Sequence, residues 1–402
     1  LVLGLLFGAA PRAVAQLDGL EDELAVRMPV RLTAGHNNHL MASYAEGTDS
    51  LYFIGDELGT TEILVQSPPS AAPTPVFDAL GDHAFPRVSP DGQRLAYLSF
   101  VHDSKGDVCV RNLPSGSERC VTDDETAELE VIWLDEGATL GVLSRRDLHS
   151  GFILHAISAT GGAPRRLLER DMIGLARSRD GAHLAYVAVE ARRPEIGVSF
   201  ASRVGRGLHV MRMPGDGAVG REAVFVPDLP GVSGFPAFSH DGRFIYFSQY
   251  LNDTNRDGVI DGRDNSVIAR VGYDASRADP FAGQDVEQLT SSRWNCHYPA
   301  PTPRRLLMTC SHGGSLDIYA LPLDGVVPAA WDIERLRAEL HVARDRWAQL
   351  LVASRLMVLL PEGPGRHGAQ QEVVALHLDL REHESAIYYA SRLATQAGAS
   401  TP

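Results

Sequence analysis

The sequence predicts a mainly β fold, a six-bladed β-propeller of four-stranded antiparallel blades, followed by a small all-α helical extension. Three observations predict it. The stretch Phe85–Ser99, FPRVSPDGQRLAYLS, has close copies along the chain, and the copies stand about one four-stranded blade apart. From Ala329 onward the apolar residues change from a strand-like to a helix-like period.

Within the repeat unit, Pro90 sets φ at the second turn position, Asp91 can bond its own backbone and Gly92 accepts positive φ. Ser89-Pro90-Asp91-Gly92 therefore predicts a tight reversal between two strands. The incoming strand is Phe85–Ser89. The outgoing strand, Leu95–Ser99, is almost continuously apolar, as expected when both its faces are covered. The unit returns as GLARSRDGAHLAYVA at 174–188 and GFPAFSHDGRFIYFS at 234–248, and in looser form at 42–55, 131–144 and 298–311. A second strand–turn–strand pattern follows at 107–122, 152–168 and 316–325. Two hairpins per repeat make a four-stranded sheet, and six such sheets arranged radially bury one another's faces.

The SPDG-centred repeat resembles the TolB-like (PD40, WD40-like) family of six-bladed propellers over residues 31–328. The resemblance implies a platform whose loops carry the binding contacts. Some propellers of this kind precede an α/β-hydrolase peptidase domain, but this sequence has no G-x-S-x-G motif and too few further residues to build one.

Residues 1–15, LVLGLLFGAAPRAVA, end in Ala13-Val14-Ala15, the small-x-small pattern of a signal peptide, with Gln16 as the expected mature start. The propeller is then expected over 16–328 and the extension over 329–402. No other apolar run approaches the ~18–20 residues that span a bilayer. The mature chain is expected to lack a transmembrane segment and to be exported, to the periplasm, to the outer membrane or as a secreted protein. A net charge of −14 argues against nucleic acid as partner. Lys105 is the only lysine among the basic residues, which are scattered.

The four cysteines fall in two local pairs, each flanking a turn within one hairpin. Antiparallel neighbours bring Cβ atoms near disulfide distance, so Cys109–Cys120 and Cys296–Cys310 are the expected bridges, consistent with export.

The chemically sharpest stretch is an insertion in the fifth repeat, D-x-N-x-D-G-x-I-D-x-x-D over 253–264. A hard cation such as Ca²⁺ takes six to eight oxygens. The spacing offers side chains of Asp253, Asn255, Asp257, Asp261 and Asp264 plus the Val259 carbonyl, with Gly258 at the sharp bend. The loop resembles the calcium loops of EF-hands and dockerins. It departs from the EF-hand in ending on Asp264 rather than Glu and in having strand-like flanks, so a structural calcium ion clamping a hairpin tip is expected. A basic insertion in the fourth repeat, Glu190–Gly207, is a second candidate contact loop.

His39 and His83 occupy equivalent positions before the first strands of adjacent blades, and His297 lies near the corresponding place in the sixth. First strands line a propeller channel, where three imidazoles could hold a transition metal. A channel-mouth, metal-dependent hydrolase or lyase acting on a glycan or peptide is therefore the alternative to the main expectation, a non-enzymatic scaffold that binds a protein partner in the bacterial cell envelope.

In the extension, Ile333, Leu336, Leu340, Ala343, Trp347, Leu350, Ser354 and Met357 alternate three and four steps, predicting one amphipathic helix of about eight turns, ended at Pro361-Glu-Gly-Pro-Gly. Gln370–His383 and Ser385–Gln396 read as a helical hairpin that weakly resembles a tetratricopeptide unit. Such a unit cannot bury its apolar face alone, so it is expected to pack on the propeller or on a partner.

Overall fold

The computed structural model describes residues 29–33, 36–57, 59–78, 81–102, 104–145, 151–188, 207–213, 224–311, 314–323, 333–342 and 346–399. The signal-peptide stretch and nearly all of the fourth-repeat insertion lie outside these residues. Twenty-four strands form six four-stranded sheets. Blade one is β2 (His39–Ala45), β3 (Ser50–Gly55), β4 (Glu62–Gln66) and β5 (Thr74–Pro75). Blade two is β6 (His83–Val88), β7 (Arg94–Ser99), β8 (Asp107–Asn112) and β9 (Glu118–Cys120). Blade three is β10 (Ala127–Trp133), β11 (Thr139–Arg145), β12 (Ile153–Ser158) and β13 (Arg165–Glu169). Blade four is β14 (Met172–Arg177), β15 (His183–Ala188), β16 (Leu208–Arg212) and β17 (Val224–Phe225). Blade five is β18 (Val232–Phe238), β19 (Phe244–Tyr250), β20 (Val267–Gly272) and β21 (Val286–Gln288).

Blade six departs from the simple repeat. Its first three strands are β22 (Cys296–Pro301), β23 (Arg305–Cys310) and β24 (Asp317–Pro322), but the fourth is β1 (Val30–Arg31), paired antiparallel to β24. The 316–325 stretch thus supplies one strand of a hairpin whose partner comes from the other end of the chain, which closes the ring. Buried Asp317 holds that closure: its carboxylate accepts from Thr33 Oγ1 at 3.0 Å and His39 Nδ1 at 3.1 Å, and pairs with Arg31.

The SPDG reversal forms as the turn chemistry requires. Ser89 Oγ donates to the Asp91 carboxylate, which also accepts from Gln93 N at 2.9 Å, and Gly92 sits at φ +71. Behind it, β7 and β19 are buried along almost their whole length, in agreement with their unbroken apolar sequence.

Each first strand carries a β-bulge, placed between Leu40 and Ser43, Ala84 and Arg87, Glu128 and Glu130, Ile173 and Ala176, Gly234 and Ala237, and His297 and Ala300. At four of these bulges a large residue adopts positive φ: Met41 (59), Phe85 (54), Phe235 (50) and Tyr298 (53). Gly174 takes the same conformation in blade four. All four large side chains are buried and belong to one apolar cluster with residues of blades one to three. Phe235 and Tyr298, from neighbouring blades, have ring centroids 4.3 Å apart. The cluster runs through five consecutive blades, five, six, one, two and three, and reaches the third strands at Val108, Val110 and Ile157.

The extension comprises α1 (Ile333–Val342), α2 (Arg346–Leu359), α3 (Pro364–Asp379) and α4 (His383–Ala399). The single eight-turn helix expected from Ile333 to Met357 is two helices. Gln349 Nε2 reaches the Leu340 carbonyl at 3.5 Å, whereas nine residues of continuous helix rise about 13.5 Å. The three-four period could not show this, because the two helices in a hairpin both point their stripes at the same core. Leu336 of α1 and Leu350, Leu356 and Met357 of α2 share one cluster. The next helix also starts earlier than residue 370: Pro364 occupies its first turn, where a missing N–H costs nothing.

Candidate functional site

In a propeller of this strand order, the connections from second to third strand and from one blade to the next emerge on one face, here the upper. The SPDG turns lie on the lower face. The 253–264 loop joins β19 to β20, and the fourth-repeat insertion joins β15 to β16, so both insertions leave from the upper face of adjacent blades.

The 253–264 loop is organised by its own acidic side chains. Asp253 accepts from Asp257 N at 3.1 Å and Gly258 N at 2.8 Å, Asn255 Oδ1 from Asp257 N at 2.9 Å, and Asp257 from Val259 N at 3.0 Å. Gly258 has φ +86, a conformation glycine adopts without steric cost. Asp264 is the anchor. It is 2% exposed and accepts from Thr254 N (2.7 Å), Thr254 Oγ1 (3.1 Å), Asn255 N (3.2 Å) and Asp261 N (2.9 Å). Arg263 bridges Asp257 and Asp261 at 3.2 and 2.7 Å, and it holds the Asp261 carboxyl below its ordinary range.

The donor set of this loop fits a hard cation, with four carboxylates, an amide oxygen and the Val259 carbonyl within twelve residues. The described conformation does not yet draw them to one point. Among the described residues no three His, Cys, Asp or Glu side chains are grouped as metal ligands. The Arg263 guanidinium lies between two of the expected ligands, so a bound ion would have to displace it.

The three histidines do not converge. His39 is held between blades one and six, with Nδ1 on Asp317 and Nε2 2.6 Å from Glu57. His83 stacks on Phe77 at 4.4 Å within the blade one–two contact, and burial pushes its pKa down. His297 lies one register position away from the other two, on the opposite side of its strand: Cys296, not His297, pairs across from Cys310 as His83 pairs with Ser99. Its Nδ1 lies 3.0 Å from Tyr250 Oη and 3.0 Å from Ser266 Oγ, and burial lowers its pKa to about 4.

Both cysteine pairs are bridged as expected, and each joins directly opposed residues of neighbouring strands.

The extension packs on the propeller, one of the two placements the sequence left open, but the residues that dock it were not foreseen. Residues 350–357 of α2 are buried on every side. From this helix Arg355 donates to both oxygens of Glu287 on β21, at 2.9 and 3.0 Å, and Glu287 also receives Arg270 Nε at 2.7 Å. Ser354 Oγ accepts from Gln288 N at 3.2 Å. The second hairpin turns onto the upper face. Glu382 accepts from Ser292 Oγ at 2.7 Å and pairs with His377 Nδ1 at 2.9 Å, while Tyr388 Oη donates to the Asp228 carbonyl at 2.9 Å. Asn252, the residue just before the acidic loop, contacts Ser385 Oγ at 3.3 Å. The only sequence signal was two polar residues, Ser354 and Arg355, inside an otherwise apolar run.

Neither a family model nor a curated relative matches the sequence. Solved structures do. One described as TolB from Agrobacterium tumefaciens shares 19% identity over 64% of this chain and 82% of its own, with a TM-score of 0.44. An oligogalacturonate lyase from Vibrio parahaemolyticus shares 13% over 73% and 93%, with a TM-score of 0.47. A gluconolactonase from Xanthomonas campestris shares 12% over 75% and 92%, with a TM-score of 0.50. At these identities the likeness is one of fold, the six-bladed propeller that the sheet order shows by itself.

Proposed function

We propose that this chain is a non-enzymatic, protein-binding scaffold of the bacterial cell envelope, with a structural calcium ion in the 253–264 loop. The observation that carries this reading is the build of the upper face at blade five. There the acidic loop, the interblade connection at Asp228 and helix α4 are joined by hydrogen bonds into one surface. Three large apolar side chains stand exposed on or beside it, Val226, Val259 and Ile387. By contrast, the groups that would serve a channel enzyme are dispersed. His39, His83 and His297 each belong to a different interblade contact.

Export is part of the proposal. Two disulfides suit an oxidising compartment, and no helix among the described residues is long and apolar enough to cross a membrane.

The test is a cross-linked capture from envelope extract in calcium buffer, comparing the wild-type chain with Ile387→Glu and Val259→Glu. These exposed substitutions should leave the melting temperature unchanged and remove the specific partner. A partner captured equally by all three proteins would refute the assignment of this face. A turnover on glycan or peptide substrates that disappears in a His39→Ala, His83→Ala, His297→Ala triple variant would replace the scaffold with the enzyme reading.

A further inference from the structure

The two disulfides are chemically alike in sequence, yet they sit in opposite environments. Cys296 and Cys310 are both fully buried, on the two inner strands of blade six. Cys109 is 1% exposed, but its partner Cys120 is exposed, at the end of β9, a three-residue outer strand of which every residue is exposed. Thiol–disulfide exchange requires a thiolate to reach one sulfur, so access separates the two bridges before any difference in potential does.

We propose that Cys109–Cys120 is a thiol-exchange site, a reducible clasp that holds the outer edge of blade two and opens while Cys296–Cys310 stays closed. The co-reactant is a dithiol. Its thiolate attacks Sγ of Cys120, the exposed residue of the pair, forming a mixed disulfide and expelling the Cys109 thiolate, which takes a proton from solvent. The second thiol of the reagent, after losing its proton, attacks the mixed disulfide, becomes the oxidised cyclic disulfide and releases Cys120 as a thiolate, which is then protonated. Two electrons and two protons pass from the dithiol to the protein.

What the clasp secures is small and local. Besides the bridge, the segment is tied to β8 by the antiparallel ladder of Val110 with Arg119 and Arg111 with Glu118, and by Asn112 N to the Ser117 carbonyl (2.8 Å), Val121 N to the Val108 carbonyl (2.8 Å) and Val108 N to Thr122 Oγ1 (2.8 Å). Glu118 adds contacts with Arg111 at 3.2 Å and Tyr97 Oη at 3.3 Å. β9 lies at the rim of the sheet with all three of its residues exposed, and once the bridge is open only these non-covalent ties hold it. Opening the bridge therefore frees β9 to leave, and it uncovers the backbone edge of β8, a row of groups able to pair with another strand. The freed Cys109 thiol stays behind in the apolar contact between blades one and two, beside Tyr52, Ile63, Leu95 and Tyr97.

The experiment uses the full, unreduced chain. It is titrated with dithiothreitol, quenched with one thiol alkylator, then denatured, fully reduced and treated with an isotopically distinct alkylator. Peptide mass spectrometry reads the order in which each pair opened. Cys109 and Cys120 should take the first label at a dithiothreitol concentration about ten-fold or more below that needed for Cys296 and Cys310. Amide exchange over 107–122 should rise in the same samples, with blade six unchanged. Simultaneous labelling of both pairs, labelling of Cys296 and Cys310 first, or labelling of Cys109 and Cys120 without reductant would each overturn the proposal. Unchanged exchange over 107–122 after the first pair has opened would overturn the release of β9.

Discussion

Glu287 should be among the most sensitive positions in the protein, although nothing in its sequence context singles it out. It is 2% exposed and lies between two guanidiniums, Arg270 of its own blade and Arg355 of α2, which are 4% and 5% exposed. Arg270 is further placed over the Phe244 ring at 4.1 Å. Replacing Glu287 by Gln keeps the shape and removes the negative charge that the two arginines share. Two buried like charges then face a neutral amide, and breaking a buried pair in this way costs about 3–5 kcal/mol. Arg355→Met removes the helical arm but leaves Glu287 paired with Arg270, so its cost should be nearer the ~1.5–3 kcal/mol of a charged hydrogen bond. The measurement is urea unfolding of both variants, with amide exchange over 350–357 to locate the loss. Exchange in α2 should rise in both, and Glu287→Gln should be the more destabilised. If Glu287→Gln cost less than ~1 kcal/mol, as an exposed ion pair would, or if α2 kept its protection, the extension would not be docked through this triad.

Other predictions follow from single sites. Calcium at about 100-fold its dissociation constant should stabilise the protein by about 2.7 kcal/mol, seen as a raised melting temperature that Asp257→Ala abolishes; an equal melt in calcium and chelator would remove the ion from the loop. His297 is neutral in the fold, with its pKa lowered from 6.5 to about 4 by burial. The unfolded chain therefore binds the proton first as pH falls. Stability should be lost between pH 6.5 and 4, on the order of 2 kcal/mol by pH 5, and His297→Asn should flatten that slope in pH-dependent denaturation. At Phe85 the usual order of substitutions should invert. Because its φ is +54, Phe85→Ala keeps the left-handed strain that Phe85→Gly relieves, so the glycine variant should be less destabilised by about 1 kcal/mol in urea; the opposite order would show that the backbone relaxes once the ring is gone.

The repeat was legible because its turn chemistry is local. Ser-Pro-Asp-Gly encodes a reversal wherever it stands, and an unbroken apolar strand after it encodes burial on both faces. The acidic loop was legible for the same reason, as its spacing is a property of one short segment. What could not be read were pairings between distant parts of the chain. β1 is two residues long, and nothing in Val30–Arg31 names β24 as its partner. The positive-φ aromatics of the first strands leave a trace in the sequence. Phe85-Pro86, Phe235-Pro236 and Tyr298-Pro299 stand at the same place in three copies, and the residue before proline is driven out of the right-handed helical region. An aromatic in that position, repeated in three blades, points to a special backbone conformation, not to an ordinary strand. The histidine reading failed on a single residue: His297 is one place out of register, and in a strand one place is the opposite face.

Blade five carries both the acidic loop and the docked extension. Its outer edge is covered by α2, its upper loop carries the acidic spacing, and Asn252 ties the foot of that loop to Ser385 at the start of α4. An ion that orders the loop therefore acts on the same backbone that supports α4, and removal of Glu287 acts on the other hairpin of the same extension. If the upper face is one recognition surface, chelating calcium and breaking the Glu287 triad should weaken the same partner even though the two sites share no residue. If capture survives both, the helices and the loop are separate stabilising devices, and recognition belongs to the blades themselves.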